Sequence, residues 1–255
     1  MKHRYTYVTL LGTDDYLVGT LCLWKSLRNV KSKYPLLVLC SQNISINVLK
    51  VLNQMEIQYK VLEEHIITNH KNEGKFARWS FTFDKLQIFN LVEYEKIVFL
   101  DSDMFVVKNI DSLFNAQHMS AVVADMYDQP KCKELNSGLM VVAPSEIEYK
   151  ELISLLDSQI IKDLPMCGDQ DLIRLYYNNW SNEKSLKLPN QYNMYFTNVK
   201  KCKWGGVSVI HFVYDKKPWS YSITALIRRL FRFNAIYLLK YMRMVYKYKL
   251  QWKVK

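Results

Sequence analysis

Short apolar segments alternate with amphipathic ones through the first 62 residues, and this alternation limits the folds that the chain can adopt. Residues 5–11 and 35–40 are apolar enough for strands buried in a sheet. Residues 16–28 and 46–55 have the apolar spacing of helices, and 59–62 resembles a third, short strand. A strand–helix–strand–helix–strand order at this spacing predicts an α/β domain with a parallel, doubly wound arrangement.

The next predicted strand ends in acidic residues. The apolar run 97–100 is followed directly by Asp101-Ser-Asp103. Two carboxylates one residue apart repel each other and lose hydration when shielded, so they are stable only in solvent or around a cation. Because ligands of open α/β sheets bind at the carboxyl ends of strands, this pair favours Mg²⁺ or Mn²⁺ with a diphosphate. A solvated turn after the strand is the alternative.

The common phosphate-binding loops are absent from the sequence. It contains neither G-x-G-x-x-G nor G-x-x-x-x-G-K-[ST], so neither the dinucleotide-binding loop nor the P-loop is supported. With 7 glycines in the chain, few segments remain for a loop that surrounds a phosphate with backbone amides.

The net charge of +11 comes entirely from the C-terminal tail. Residues 216–255 contain 11 Lys or Arg and no acidic residue, so the 24 remaining basic residues are matched by 24 acidic ones in 1–215. A nucleic-acid enzyme would more often spread basic charge over its folded body. We therefore expect no nucleic-acid partner and treat the tail separately.

The tail has the pattern of an amphipathic helix, with no Gly or Pro from Arg228 to Lys247. Six basic residues share one arc of about 120°, and six apolar residues lie opposite. The two sets are Arg228, Arg229, Arg232, Lys240, Arg243 and Lys247, and Leu226, Leu230, Tyr237, Tyr241, Met244 and Tyr248. Such a helix suits an anionic membrane surface. The alternative is a helix that packs on the domain and leaves its basic face in solvent.

Cysteine usage and the N-terminus indicate the compartment. The 5 cysteines are scattered and contain no C-x-x-C, which fits a reducing environment better than a disulfide framework or a zinc site. We find neither a signal-peptide apolar region nor an apolar run of about 18 residues. These features predict a cytoplasmic protein, peripheral on the inner face of a membrane if the tail binds lipid.

Several polar residues stand at predicted element ends, where each alone has an ordinary structural explanation. Residues 83–94 have the apolar spacing of a helix, and Lys85 near its start is most simply a surface residue. Asp169 most simply caps a helix. A single histidine such as His211 is more often structural than a ligand. Beside two carboxylates, however, His211 has the chemistry of a third metal ligand, and the nearby Lys217 could neutralise a phosphate.

Taken in order, these motifs resemble glycosyltransferase family 8, which includes glycogenin, galactinol synthase and bacterial lipopolysaccharide galactosyltransferases. The resemblance covers about residues 5–221. The motifs that carry it are Tyr7-Val-Thr-Leu10 with Tyr16, Phe83-Asp-Lys85-Leu, Phe99-Leu-Asp-Ser-Asp103, Asn109-Ile-Asp111-Ser-Leu-Phe114, Asn136-Ser-Gly138, Gly168-Asp-Gln170, and His211-Phe followed by Lys217-Pro-Trp219. Each motif is weak alone, but seven in the family's order are specific.

The resemblance implies a GT-A fold, an α/β architecture with a Rossmann-like mixed central sheet flanked by helices. Residues 1–222 would form the glycosyltransferase domain, and residues 223–255 a basic amphipathic segment. The implied activity is a retaining transfer of a hexose from a UDP-sugar, with UDP-glucose or UDP-galactose expected. Mn²⁺ or Mg²⁺ would be the cofactor, and a glycan, glycolipid or small polyol the acceptor.

The resemblance also implies roles for individual residues. Asp101, Asp103 and His211 would bind the metal. Leu10, Gly12, Tyr16, Ser102 and Lys217 would bind the nucleotide. Lys85, Asn136, Ser137, Asp169 and Gln170 would line the donor sugar. The candidate catalytic residues are Asp169, Gln170, Lys85 and Asp125.

Some alternatives stay open at this stage. Retention could use a nucleophile among Gln170, Asp169 and Asp125, or front-side attack assisted by the departing phosphate, which we favour because an amide is a poor nucleophile. Residues 188–198 contain no tyrosine that aligns convincingly with glycogenin's self-glucosylated one, so a separate acceptor is expected. A divalent-metal nucleotidyltransferase or phosphohydrolase is the rival enzyme class. The non-enzymatic rival is a basic module that docks on membrane or RNA.

Overall fold

The computed structural model describes residues 3–67, 82–124, 132–164, 167–201, 206–213, 216–232 and 235–252. The strands are β1 (His3–Leu11), β2 (Leu36–Cys40), β3 (Gln58–Val61), β4 (Tyr94–Leu100), β5 (Met104–Val106), β6 (Ser120–Val123), β7 (Leu135–Val142), β8 (Lys187–Leu188), β9 (Met194–Tyr195) and β10 (Val209–His211). The α-helices are α1 (Leu17–Asn29), α2 (Ile46–Gln54), α3 (Glu146–Leu156), α4 (Gln159–Lys162), α5 (Asp169–Tyr176), α6 (Ile223–Arg232) and α7 (Ala235–Trp252).

Seven strands form the central sheet, in the order β3-β2-β1-β4-β7-β6-β8. The first four of these are parallel, as the alternation of strands and helices predicts. β7 runs antiparallel to β4, and β6 runs antiparallel to β7. The sheet is therefore mixed, and the predicted α/β architecture with a mixed central sheet is confirmed.

Side chains that alternate along the central strands pack into two cores, one on each face of the sheet. On β4, Val98 and Leu100 join the core that contains residues of α1, α2 and α7. Ile97 and Phe99 join the core that contains residues of α3 and α5. All four side chains are fully buried, and each such burial contributes roughly 1.5–3 kcal/mol. The strand before the paired aspartates is thus anchored on both faces.

β5 leaves the central sheet and belongs to a second, three-stranded sheet with the order β5-β10-β9. β10 is antiparallel to β5, and His211 pairs with Met104. In addition, the Phe212 amide donates to the Asp103 carbonyl at 3.1 Å. The paired aspartates therefore lie where the chain crosses from one sheet to the other, and β10 brings a distant histidine to that point.

Residues 83–94 were expected to form an α-helix, but this prediction is wrong in detail. The segment Phe83–Asn90 is a 3₁₀ helix, and β4 already begins at Tyr94. Phe83, Leu86 and Phe89 are fully buried and three residues apart. A helix with three residues per turn places side chains with that spacing on one side, which explains the tighter winding.

The tail forms two described helices, α6 and α7, where the sequence pattern predicts one. Tyr241, Val245 and Tyr248 of α7 are buried in the core shared with α1. The Tyr241 ring lies 5.3 Å from Phe105 and 4.6 Å from Phe212 between centroids. The predicted apolar face thus packs on the domain, which is the alternative of the two interpretations given for the tail.

None of the described helices combines the length and the apolar composition that a bilayer-spanning helix requires. The exposed side of α7 carries basic residues, including Lys240, Arg243 and Lys247. The boundary that the sequence places at residue 222 stays a prediction, because α7 contributes to the same core as β1 and α1.

Candidate active site

A cleft of about 560 Å³ opens at the carboxyl ends of β1 and β4. It gathers most of the residues that the sequence analysis selected. These are Leu10, Gly12, Tyr16, Lys85, Asp101, Ser102, Asp103, Ser137, Asp169, Gln170, His211 and Lys217. Asn136 is described but is not among the lining residues, and Asp125 falls outside the described part of the chain.

The two aspartates and the histidine form a compact group of potential metal ligands. One ligand atom from each of Asp101, Asp103 and His211 lies within 4.8 Å of the others. The His211 Nε2 atom is 3.1 Å from Asp103 Oδ1 and 3.6 Å from Asp101 Oδ2. The residues that the sequence places far apart, and assigns to one metal, are thus brought together by β4, β5 and β10.

In each of the two aspartates, the oxygen that does not face His211 contacts a lysine, and the two lysines are different. Lys217 Nζ donates to Asp103 Oδ2 at 2.6 Å and to the Phe212 carbonyl at 2.8 Å. Lys85 Nζ lies 3.1 Å from Asp101 Oδ1. Each aspartate therefore turns one oxygen to a lysine and the other to the histidine. This arrangement orients both carboxylates and leaves one oxygen of each facing the group.

Burial and charge act against each other on these groups. Burial would raise the pKa of Asp103, but His211 and Lys217 outweigh it and hold that pKa below its usual value. Burial raises the pKa of Asp101 despite the opposing charges of Lys85 and His211. Burial would lower the pKa of Lys217, yet the adjacent Asp103 raises it, so the lysine stays charged.

Gly138 allows the close approach of these groups. A Cβ atom at this position would lie 2.6 Å from His211 Cε1 and 2.8 Å from Asp101 Oδ2. Contacts this short are not found for real Cβ atoms. The Asp101 amide donates to the Gly138 carbonyl at 2.8 Å, which fixes the glycine beside the site. The sequence motif Asn136-Ser-Gly138 thus contains a residue whose role is to leave space.

A second polar group extends the site along the cleft. Lys85 Nζ is 2.6 Å from Asp169 Oδ2, and the Ser137 hydroxyl donates to the same oxygen at 2.8 Å. Burial would lower the pKa of Lys85, but Asp101 and Asp169 raise it. Gln170 Oε1 accepts from the Ser137 amide at 3.0 Å. Asp169 and Gln170 are thus held in place by β7 at the N-terminus of α5.

The remaining part of the cleft is formed by the end of β1 and the segment that follows it. Leu10, Gly12 and Tyr16 line it, and the Tyr16 ring meets the Trp219 ring edge-on at 5.6 Å between centroids. Gly12 has open space around its Cα, since a Cβ there would meet nothing within 4 Å. This region offers an aromatic ring and an unobstructed backbone next to the charged groups.

The sequence analysis missed Asn193, which contacts the candidate metal ligand from behind. The Asn193 side chain is 5% exposed, and its Oδ1 atom lies 2.8 Å from His211 Nδ1. Its Nδ2 atom donates to Asn136 Oδ1 at 2.6 Å. The residue belongs to segment 188–198, which the sequence analysis treated only as a departure from glycogenin. The tyrosine–asparagine pair before β9 carries no metal-ligand pattern that would have identified it.

The mixed α/β sheet, the polar cleft at its strand ends and the candidate divalent-cation ligand set fit a glycosyltransferase, and they also fit the rival nucleotidyltransferase class. Sequence similarity distinguishes the two. Residues 7–222 match the family profile described as "Glycosyl transferase family 8". The chain therefore belongs to glycosyltransferase family 8.

Curated relatives agree with this assignment. The chain is 32% identical to glycogenin-1 of Mus musculus, over 85% of this chain and 66% of that one. It is 28% identical to galactinol synthase 4 of Arabidopsis thaliana, over 86% of this chain and 75% of that one. The chain spans 66% of mouse and 62% of human glycogenin-1, so it matches just under two thirds of their length.

Solved structures share the fold. An active-site mutant of LgtC superposes with a TM-score of 0.63 over 96% of both chains at 13% identity. The apo glycosyltransferase GlyE of Streptococcus pneumoniae TIGR4 gives a TM-score of 0.62 over 98% of this chain and 64% of that one, at 18% identity. The predicted GT-A fold is confirmed by these similarities.

Proposed function

We propose that the protein transfers a hexose from a UDP-sugar to a glycan, glycolipid or small polyol acceptor, with retention of anomeric configuration. UDP-glucose and UDP-galactose are the expected donors. The observation that supports this most is the convergence of Asp101, Asp103 and His211 in the cleft, with Lys85 and Lys217 on the outer oxygens of the aspartates. A sugar nucleotide brings a diphosphate, which is the group that such a set attracts.

The donor set fits Mn²⁺ or Mg²⁺. Two carboxylate oxygens and one imidazole nitrogen suit a hard divalent ion such as Mn²⁺ or Mg²⁺ better than a soft ion that prefers thiolates, and Gly138 leaves space beside them. Asp101, Asp103 and His211 would hold the ion. When bound, it would neutralise the negative charge that develops on the departing diphosphate.

The charges around the cleft favour binding of cation and donor together. Among the ion-paired side chains, Asp101, Asp103 and Asp169 contribute three negative charges and Lys85 and Lys217 contribute two positive ones. Not counting Asp171, which also lines the cleft, this cluster carries about one net negative charge. A bound divalent ion alone would make the net charge of this cluster positive, and a bound diphosphate alone would make that net charge much more negative. The pair together restores the original balance, and this predicts cooperative binding.

Lys217 has a second task in this proposal. Its pairing with Asp103 keeps a buried ammonium next to the expected diphosphate. Charge-assisted hydrogen bonds from such a group stabilise an anionic leaving group more as its charge grows. The Tyr16 ring, near Lys217 and Trp219, would stack on the uracil base.

The sugar would lie against Lys85, Ser137, Asp169 and Gln170. Asp169 Oδ2 already accepts from Lys85 and Ser137, which reduces its nucleophilicity, and Gln170 carries an amide. These contacts favour front-side attack assisted by the departing phosphate over a covalent intermediate on either residue. Asp169 would instead stabilise the positive charge that develops on the anomeric carbon.

Calorimetry with UDP, UDP-glucose, UDP-galactose and UDP-N-acetylglucosamine, each with and without Mn²⁺, tests the proposal. We expect Mn²⁺-dependent binding of UDP and of at least one hexose donor. Equal affinity with and without Mn²⁺, or no binding of UDP or of any of the three UDP-sugars, would contradict the proposal. Product analysis separates the rival class, because a transferase releases UDP whereas a nucleotidyltransferase or phosphohydrolase leaves a sugar phosphate.

We also propose that the outer face of α6 and α7 contacts an anionic membrane surface. Six large apolar side chains are exposed there among basic residues, with no acidic residue in either helix. They are Ile223, Ile227, Ile236, Leu239, Tyr246 and Leu250. Apolar insertion and basic charge together are what peripheral helices use, with ~1 kcal/mol from each basic residue near the surface.

Vesicle co-sedimentation tests this second proposal. The double variant Leu239→Glu/Leu250→Glu should lose binding to phosphatidylserine vesicles. Ile147→Glu on α3 is the matched control, because Ile147 is 72% exposed but lies outside the tail. Equal binding of both variants and the wild type, or equal binding to neutral vesicles, would contradict the assignment.

A further inference from the structure

His211 is supported from behind by a short chain of hydrogen bonds. β9 pairs in parallel with β10, with Tyr195 opposite His211, and this register brings Asn193 next to the imidazole. Asn193 Oδ1 lies 2.8 Å from His211 Nδ1, on the side of the ring away from the aspartates. Asn193 and His211 are only 5% and 4% exposed, so water does not compete readily for this contact.

The orientation of the asparagine amides follows from a backbone group. The Gly138 amide can only donate, and it donates to the Asn136 side chain at 3.0 Å, so the atom that receives it is the oxygen Oδ1. The same oxygen lies 2.6 Å from the Asn193 side chain, which must therefore present its NH₂ group there. The Asn193 oxygen then faces His211.

The proton on the imidazole is located by the same reasoning. Because Asn193 Oδ1 can only accept, His211 Nδ1 must carry the proton of that hydrogen bond. In the neutral ring, the lone pair is then on Nε2. That atom is 3.1 Å from Asp103 Oδ1 and 3.6 Å from Asp101 Oδ2. With the lone pair on Nε2, the ring and the two carboxylates present three acceptors to the same space, which a bound divalent cation can fill; without a cation, a proton on Nε2 would take its place.

We propose that Asn193 is a positioning residue that holds His211 in the tautomer able to bind a divalent cation. Asn136, which the family resemblance assigns to the donor sugar, supports Asn193 through its side-chain oxygen. The inference rests on the cation site of the proposed function, and it adds a support to each ligand: Lys85 for Asp101, Lys217 for Asp103 and Asn193 for His211. Such partners fix ring orientation and raise the basicity of the ligand.

Two substitutions at position 193 distinguish positioning from packing. Asn193→Leu removes the acceptor while keeping similar volume, whereas Asn193→Asp keeps an acceptor for the Nδ1 proton. We expect Mn²⁺ affinity, measured by calorimetry with UDP present, to fall about 10- to 100-fold in Asn193→Leu. The Asn193→Asp variant should retain more of that affinity, although its melting temperature should fall further because it buries a charge.

A purely structural role predicts the opposite order, with the apolar leucine retaining affinity better than a buried aspartate. That order would overturn the proposal. Tyr195→Phe is the matched control, because its hydroxyl accepts from Asn136 Nδ2 but leaves the Asn193–His211 contact intact. Its Mn²⁺ affinity should change by no more than about twofold, and a loss as large as that of Asn193→Leu would also overturn the proposal.

Nitrogen NMR of histidine tests the tautomer without any metal or donor. In metal-free protein labelled with ¹⁵N-histidine, the His211 signals can be assigned with His211→Gln, and the pH raised until the ring is neutral. We expect the remaining proton on Nδ1 in the wild type and a mixture of tautomers in Asn193→Leu. A proton on Nε2 in the wild type would refute the inference. Since no cation is used, this outcome is separate from any failure of the proposed function.

Discussion

Asp84 and Asp103 are both buried aspartates, but their oxygens meet different partners. Asp84 accepts from the Ser41 hydroxyl at 2.6 Å and from the Ile66 amide at 2.8 Å, and it contacts His65. Asp103 instead gives one oxygen to Lys217 and turns the other to His211. The first carboxylate is satisfied by donors of the fold, whereas the second keeps an oxygen among other potential ligands.

Asp111 extends the comparison to the opposite side of β1. Its carboxylate accepts from Tyr7, Ser32, Asn109 and the Lys33 amide, at 2.7 to 3.2 Å. Like Asp84, it joins segments that are distant in sequence. The comparison teaches that burial alone does not identify a functional carboxylate. Both Asp84 oxygens accept from a hydroxyl or a backbone amide even though His65 is also close. What distinguishes Asp101 and Asp103 is that, among the described residues, the two carboxylates converge on one imidazole, with the three potential ligand atoms within 4.8 Å of one another.

Asp103→Asn should give the largest functional effect. The substitution removes a ligand charge but keeps the size of the side chain, so we expect Mn²⁺-dependent UDP binding and turnover to fall roughly 100-fold or more. The amide oxygen can still accept from Lys217, so the protein should stay folded, with a lower melting temperature because the buried lysine loses its ionic partner. Calorimetry and thermal denaturation measure the two properties, and unchanged Mn²⁺ affinity would remove Asp103 from the site.

Asp84→Asn should show the reverse pattern. An amide cannot accept all the hydrogen bonds that Asp84 now receives, and one buried donor would be left unpaired, at a cost of about 2–3 kcal/mol. Urea unfolding should report this loss, while Mn²⁺ affinity of the folded protein should be close to wild type. If Asp84→Asn kept its unfolding free energy but lost Mn²⁺ affinity, the proposed difference between Asp84 and Asp103 would be wrong.

Gly138→Ala tests whether the open space beside Asp101 matters. A methyl group there must displace His211 or Asp101, and overpacking of this kind costs about 1–3 kcal/mol. We expect weaker Mn²⁺ binding by calorimetry together with a modest drop in melting temperature. Gly12→Ala is the matched control for the melting temperature and for Mn²⁺ titrated without UDP, because its Cβ would meet no protein atom within 4 Å. Equal Mn²⁺ affinity in the two variants would show that the space is not required.

Asp111→Asn should have the smallest effect, and one that depends on pH. Burial would raise the pKa of Asp111, but the hydrogen bonds from Lys33, Ser32, Tyr7 and Asn109 outweigh it and lower that pKa. A lowered carboxyl pKa stabilises the fold above the unfolded value of about 3.9, and this stabilisation disappears as the pH falls through the folded value. The difference in unfolding free energy between wild type and variant, about 1 kcal/mol near neutrality, should therefore shrink below about pH 4. A difference that grows on acidification would contradict this.

The local pattern predicted the elements that carry the site better than the contacts between them. The apolar run before Asp101-Ser-Asp103 predicts a buried strand, and β4 is that strand. The assignment of His211 came from family resemblance, since its position depends on the pairing of β10 with β5. Asn193 could not be predicted, because its contact with His211 requires the parallel register of β9 and β10. The pairing of such short strands cannot be predicted from the hydrophobic periodicity of the sequence.

The tail illustrates the same limit. Its spacing correctly predicts helical structure with Tyr241 and Tyr248 on the apolar side. A helical wheel does not say whether that side meets a membrane or the domain, and both rings are buried in the core. The exposed Leu239 and Leu250 lie on the side that the wheel did not single out.

Anomalous scattering from a crystal grown with Mn²⁺ and UDP tests the central claim most directly. We expect one strong manganese peak bounded by Asp101 Oδ2, Asp103 Oδ1 and His211 Nε2, with Lys217 near the diphosphate. UDP bound without a manganese peak at that point, or a peak coordinated by other residues, would contradict the account.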